Sequence, residues 1–204
     1  MAKRSKRWLQ EHDRDTYVRQ ARDSHYRSRA VYKLQEIDRQ YRLIQPGQTV
    51  IDLGAAPGSW SQWASEKVGR QGKVIAVDIL PMEPVRNVTF IQGDFNEQAV
   101  LDKCLEQLSG SKADLVISDM APNITGIRTT DQARSLHLAE LVLDFSALEL
   151  NPGGNMLVKL FQGSGIDEYK RKLVDKFQKV IVRKPKASRP GSREFYMLAI
   201  GYDV

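Results

Sequence analysis

The stretch Val50-Ile-Asp-Leu-Gly-Ala-Ala-Pro-Gly-Ser-Trp60 constrains this chain more than any other. An apolar strand runs directly into a glycine turn, and helical spacing follows. Glycines at 54 and 58 let the backbone turn tightly and let a ligand approach it closely. A strand, a glycine turn and a helix in that order open an α/β sheet, whose ligands bind beyond the C-terminal ends of the strands.

The alternation continues to the end of the chain. Patterning predicts strands over 49–54, 73–78, 88–92, 113–118, 154–161, 178–184 and 194–202. It predicts helices over 24–42, with Ser24 as a possible cap, and over 59–69, 96–108, 131–149 and 167–177. Runs such as Leu115-Val-Ile117 lack polar alternation, which suits parallel strands covered on both faces. The last two strands are joined by a loop without a helix, so they should pair antiparallel. The expected fold is α/β and Rossmann-like: a mostly parallel seven-stranded sheet, an antiparallel last strand, and helices on both faces.

Residues 1–20 read as a basic flexible arm and 21–204 as a single domain. No apolar run is long enough to span a membrane, and no apolar segment follows the basic N-terminus. Cys104 is the only cysteine and shares helical spacing with Leu101, Leu105 and Leu108, so it reads as packing. A reducing cytoplasm is the expected setting. His12, His25 and His137 have no clustered partners, so no metal is expected. The net charge is +6. Residues 1–42 hold twelve Lys or Arg against six acids, and residues 170–193 hold ten against one. Two basic segments flanking a ligand-binding core point to a polyanion such as nucleic acid.

The turn is not Gly-x-Gly-x-x-Gly, which weakens a dinucleotide reading and favours S-adenosylmethionine. Asp52, Asp78, Asp94 and Asp119 each fall at a predicted strand end. Carboxylates there would repel a pyrophosphate but not a sulfonium. Asp78, 24 residues past Gly54, can accept from ribose hydroxyls. Asp94 can accept from an adenine amine, with Phe95 packed on the ring. No Gly-Lys-Ser/Thr follows the turn, which argues against triphosphate hydrolysis.

Lys159 lies inside the apolar run Asn155-Met-Leu-Val-Lys-Leu-Phe161, where a lysine is unfavourable unless paired or at an edge. The fourth and fifth strands are expected neighbours, so Asp119 and Lys159 can meet at the rim, and Glu194 can join them. Spacing alone does not bring in Lys33. Two lysines and two acids can tune an amine as base or orienter, because a neighbouring ammonium lowers its pKa and carboxylates raise it. That chemistry suits methyl transfer to a ribose 2′-hydroxyl. Two rival readings stand beside it: an amino-group methyltransferase, whose Pro-Pro-aromatic signature is replaced here by Met120-Ala-Pro-Asn123, and an RNA-binding assembly factor with secondary catalysis.

Ser24-His-Tyr-Arg-Ser-Arg-Ala-Val-Tyr-Lys-Leu34, Asp52-Leu-Gly-Ala-Ala-Pro-Gly-Ser-Trp60, Ser118-Asp-Met-Ala-Pro122, Val158-Lys-Leu-Phe-Gln-Gly163 and Ser188-Arg-Pro-Gly-Ser-Arg-Glu-Phe-Tyr196 together carry a resemblance. The chain resembles, over residues 20–203, the bacterial 23S ribosomal RNA uridine 2′-O-methyltransferases, the RrmJ/FtsJ-like family. The resemblance implies a Lys33, Asp119, Lys159 and Glu194 catalytic tetrad. It implies cofactor contacts from Gly58, Trp60, Asp78, Asp94 and Asp119, to which turn position adds Asp52, Gly54 and Pro57, and packing adds Phe95. It also implies a monomer that modifies a uridine in the A-loop of 23S rRNA within the 50S subunit; branches acting on transfer RNA or other RNA are the alternative. Arg27, Arg29, Lys184, Lys186, Arg189 and Arg193 are expected RNA contacts, chiefly to phosphates. Trp8 is a weaker candidate. Tyr26 and Tyr196 are open to either stacking or packing.

Overall fold

A computed structural model describes residues 15–123, 125–189 and 191–203. Trp8, His12 and most of the expected arm lie outside the described residues. The expected arm boundary at residue 20 falls inside a helix, α1 (Thr16–Asp23), capped by the Asp15 carboxylate accepting from Tyr17 N at 2.9 Å.

The remaining elements are α2 (Val31–Tyr41), β1 (Thr49–Leu53), α3 (Ser59–Val68), β2 (Lys73–Asp78), β3 (Val88–Gln92), α4 (Gln98–Leu108), β4 (Ala113–Ser118), α5 (Arg128–Glu149), β5 (Leu150–Phe161), α6 (Ile166–Val174), β6 (Phe177–Arg183) and β7 (Glu194–Tyr202). Two helical expectations need correction. The helix expected over 24–42 begins at Val31, and Ser24 is the C-cap of α1 rather than an N-cap. Residues 24–30 between them form turns and a bend.

The sheet order is β3-β2-β1-β4-β5-β7-β6. β1 to β5 pair in parallel, and β7 runs antiparallel to both neighbours. The last two strands do pair antiparallel, but β7 is inserted between β5 and β6. That insertion sets Lys159 directly opposite Tyr196. β5 also starts earlier than expected: Ala113 faces Leu150 and Leu115 faces Asn155, so residues 151–154 bulge out of register.

Both sheet faces are covered, as the unbroken apolar runs require. Ile51, Leu53, Val116 and Val158 pack on one face with α4, α5 and α6. Val50, Leu115, Ile117 and Leu157 pack on the other with Leu34, Ile37, Trp60 and Trp63. Adjacent residues of one strand therefore serve opposite cores, each buried side chain contributing roughly 1.5–3 kcal/mol. Cys104 is fully buried in the first core, and burial pushes its thiol up to about 11, which leaves it inert. Among the described residues no helix is long and apolar enough to cross a membrane.

Candidate active site

The parallel strands end together at one edge, where a cleft of about 430 Å³ opens. One wall is the glycine turn. Gly54, at φ +78°, lies so close to Met120 that a β-carbon there would stand 2.5 Å from Met120 Cγ. The turn is tied to β2 by Gly54 N and Ala55 N, which donate to Val77 O at 2.9 and 3.1 Å. The Asp78 carboxylate accepts from Ala56 N and Leu80 N, both at 2.8 Å, so it holds turn and crossover together and keeps lone pairs toward the cleft. Asp94 accepts from Asn96 N and Nδ2 with one oxygen and leaves the other free. Phe95 lines the floor, edge-on to Phe145 with centroids 5.1 Å apart.

Asp52 ends up behind this wall. It is fully buried; its Oδ2 accepts from Ser61 Oγ at 2.6 Å and its Oδ1 has no partner. Burial pushes its carboxyl up to about 7, against the pull of the Ser61 bond and with help from the Asp119 and Asp78 charges.

Beside the cleft, four charged side chains form two adjacent pairs. Lys159 Nζ lies 2.9 Å from Asp119 Oδ1 and also donates to the Asp119 carbonyl. Lys33 Nζ lies 2.6 Å from Glu194 Oε1. Both lysines are less than one-tenth exposed. Lys33 arrives because α2 packs its Leu34 and Ile37 on the face that carries Leu157 and Tyr196. Tyr196 sits between the pairs. Its hydroxyl donates to Asp119 Oδ1 at 2.7 Å, Lys33 Nζ is 5.7 Å from its ring centre, and the Trp60 ring centre is 5.8 Å away. Burial alone would raise the Asp119 carboxyl, but the Lys159 and Lys33 charges and the Tyr196 bond hold it below the usual carboxylate range. Burial and the Asp119 and Glu194 charges raise the Tyr196 phenol well above its ordinary value, so it stays a donor.

The structure thus brings Lys33, Asp119, Lys159 and Glu194 together, and sets Gly54, Asp78, Asp94, Phe95 and Asp119 on the cleft wall. It does not bring Asp52, Pro57, Gly58 or Trp60 to that wall. Trp60 is buried, donating to Ala30 O at 2.8 Å. Cleft residues missed in the sequence include Ile79, Leu80, Met120 and Leu141. The usable signal was an apolar pair placed directly after Asp78, where both side chains are more than half exposed.

The expected RNA contacts divide. Lys184, Lys186, Arg189 and Arg193 are exposed on the loop before β7. Arg29 instead pairs with Asp15, donates to Ala187 O and lies 5.4 Å from the Tyr17 ring, bracing α1 against that loop. Arg27 is held by three backbone carbonyls. Tyr26 and Tyr196 both pack: Tyr26 donates to Glu66 at 2.9 Å, and Tyr196 is fully buried.

Comparison with known proteins adds the relatives. The family model for FtsJ-like methyltransferases matches residues 26–202. A protein of Alkalilimnicola ehrlichii named ribosomal RNA large subunit methyltransferase E is 56% identical over 98% of this chain and 96% of its own. A protein of the same name from Nitrosospira multiformis is 56% identical over 98% and 97%. A solved Plasmodium falciparum structure, described as a ribosomal RNA methyltransferase, matches with a TM-score of 0.78 and 33% identity over 87% of this chain and 98% of that one. Aeropyrum pernix fibrillarin, solved with bound S-adenosyl-L-methionine, is 18% identical over 86% and 75%, with a TM-score of 0.60, and shares the fold. That fold is the Rossmann-like one of class I methyltransferases.

Proposed function

Because the chain belongs to the FtsJ-like methyltransferase family, we propose that it transfers a methyl group from S-adenosylmethionine to the ribose 2′-hydroxyl of a uridine in the A-loop of 23S rRNA, within the assembled large subunit. The observation that carries this reading is the pair of buried lysine–carboxylate contacts at the lip of the cleft. The names of relatives more than half identical support a ribosomal RNA target.

The cleft suits such a cofactor by its own chemistry. Among the described residues its lining carries three carboxylates, Asp78, Asp94 and Asp119, and no cationic side chain. This favours a cation over a polyphosphate. Asp78 would accept from the ribose hydroxyls, the free Asp94 oxygen from the adenine amine, and Phe95 would pack against the ring. When bound, S-adenosylmethionine supplies an already activated methyl group on a cationic sulfur.

The protein's own task is then to place and hold the hydroxyl. An ammonium has three donors. Lys159 Nζ gives two to Asp119, one to the carboxylate and one to the carbonyl. The third is left to hold the ribose oxygen. Lys33, fixed by Glu194, would add a second positive charge where negative charge develops on the ribose oxygen as its proton passes to solvent water. Asp119 serves both halves: it lines the cleft and fixes Lys159. Exposed Lys184, Lys186, Arg189 and Arg193 would hold RNA phosphates beside it.

The test uses labelled S-adenosylmethionine and large subunits from cells lacking this methylation, with nuclease digestion and mass spectrometry to locate the methyl. A 2′-O-methyluridine in the A-loop, absent with Lys159→Ala, is the expected result. Transfer to transfer RNA alone would keep the chemistry and remove the target. Subunit maturation by the inactive variant would favour an assembly role.

A further inference from the structure

Residues 25–30 cross the outside of the glycine turn and are bonded along their length to the first turns of α3, and through Arg27 to the glycine turn itself. Arg27 N donates to Gln62 Oε1 at 3.0 Å, and Gln62 Nε2 donates to His25 O at 3.1 Å. Ser28 Oγ and Ser59 Oγ are 2.7 Å apart, and Trp60 Nε1 donates to Ala30 O. The Arg27 side chain does most. Its Nη1 donates to Pro57 O at 3.1 Å and Glu83 O at 2.6 Å, and its Nη2 donates to Pro84 O at 2.7 Å. It lies flush on Gly58, where a β-carbon would stand 2.9 Å from Nη1 and 2.7 Å from Met82 Sδ.

The two segments so joined are the ones that carry the cleft wall. Pro57 belongs to the turn with Gly54 and Ala56; Glu83 and Pro84 belong to the crossover that begins with Ile79 and Leu80. On the inside they are linked by Asp78, whose carboxylate accepts from both Ala56 N and Leu80 N. On the outside they are linked by Arg27. We propose that Arg27 is a positioning residue for the cofactor, fixing the separation of turn 54–58 and crossover 79–87, and is not an RNA contact. This rests on the reading of the cleft as the S-adenosylmethionine site. A planar fork of donors spans carbonyls on two segments; a lysine ammonium on a single stem does not match that geometry.

The experiment compares wild type, Arg27→Ala and Arg27→Lys as full chains. Calorimetry measures S-adenosylhomocysteine binding without RNA, and a synthetic A-loop hairpin probes RNA affinity over a salt series. Arg27→Ala should weaken S-adenosylhomocysteine about tenfold, with Arg27→Lys between it and wild type. Hairpin affinity and salt slope should hold. In steady state the KM for methyl donor should rise while kcat and the KM for RNA stay put. Unchanged S-adenosylhomocysteine affinity with a hairpin salt slope reduced by about one charge would make Arg27 a phosphate contact and overturn the proposal. Hydrogen exchange on the ligand-free protein gives a second readout: the amides of Ala55, Ala56, Gly58, Glu83, Val85 and Arg86 should exchange faster in Arg27→Ala while those of β4 do not. If wild type fails to bind S-adenosylhomocysteine, the cofactor reading fails. Exchange then still decides whether Arg27 braces these loops, and unchanged exchange would overturn the brace as well.

Discussion

Asp52, fully buried, and Asp119, whose side chain stays 18% exposed at the cleft, stand at the ends of neighbouring parallel strands, and they behave in opposite ways. Asp52 has one hydroxyl bond, an oxygen without a partner and two carboxylate neighbours, and its carboxyl is pushed up to about 7. Asp119 has Lys159, Lys33 and the Tyr196 hydroxyl around it, and its carboxyl is held below the usual range. Desolvation is the largest influence on each and has the same sign. What separates them is the partners, so the rim changes from near-neutral to firmly anionic across two adjacent strands. The anionic one is the carboxylate that touches both the cleft and the lysine pair.

Removing the strongest partner is the largest perturbation of this contrast. Lys159→Met keeps a long apolar stem but leaves Asp119 with less compensation for burial. Methyl transfer in single turnover should fall by about 10²–10³-fold, the range for losing one preorganised donor. S-adenosylhomocysteine binding should stay within a few-fold of wild type. Stability at neutral pH should drop by about 3–5 kcal/mol, because one member of a buried pair is left behind. A variant that keeps its rate would detach Lys159 from the chemistry while leaving the fold account intact.

Asp52 makes the opposite prediction about pH. Its folded pKa lies above the unfolded value, so between about pH 4 and 7 the folded chain holds a proton that the unfolded chain releases. Stability is therefore lost as pH rises through that window, by roughly a few kcal/mol, and levels off above it. Asp119 works the other way: its contribution is present above the unfolded carboxylate value and is lost as pH falls toward its lower folded value. Asp52→Asn has nothing to titrate, so its stability relative to wild type should grow from pH 4 to 7 in chemical denaturation. A flat difference across that range would mean that Asp52 ionises like an ordinary carboxylate, and the contrast would collapse.

Much of this site could be read in the chain. The seven strands were legible because buried parallel strands must be nearly all apolar, and that makes a lysine at 159 conspicuous. Asp78, Asp94 and Asp119 were legible because they end such runs. The insertion of β7 was not, since both its faces are apolar whichever strand it neighbours. Lys33 was one basic residue among twelve in its segment until α2 was docked. The intramolecular contacts of Arg27 and Arg29 were illegible for a sharper reason. Their acceptors are largely main-chain carbonyls, which every residue has, so nothing in the identities of Pro57, Glu83, Pro84 or Ala187 announces the contact.

A smaller change sharpens the anionic side. Tyr196→Phe keeps the ring that packs on Trp60 and faces Lys33 and removes only the hydroxyl bonded to Asp119. The loss should be about 1.5–3 kcal/mol at neutral pH, as for a hydrogen bond to a charged group. It should shrink toward the acid end, where Asp119 is protonated. The acid limb of the kcat profile should move to higher pH, because a bond that lowered the Asp119 pKa is gone, with the KM for methyl donor unchanged. An unmoved acid limb would assign the low Asp119 value to the two lysines alone.

The smallest change sharpens the near-neutral side. Ser61→Ala takes from Asp52 its one hydroxyl donor, which favours the ionised form. Below about pH 5 the carboxyl is protonated in the folded chain, and the lost bond is one between neutral groups. Above pH 7 it is charge-assisted and stronger. The stability cost of Ser61→Ala should therefore grow with pH, by about 1 kcal/mol between pH 5 and 8. The cost of Tyr196→Phe should already be complete at pH 5, because Asp119 is ionised there. Denaturation of both variants at the two pH values reads the difference directly. Equal behaviour would mean that Asp52 and Asp119 titrate together, as one coupled pair across β1 and β4 rather than as two carboxylates set apart by their partners.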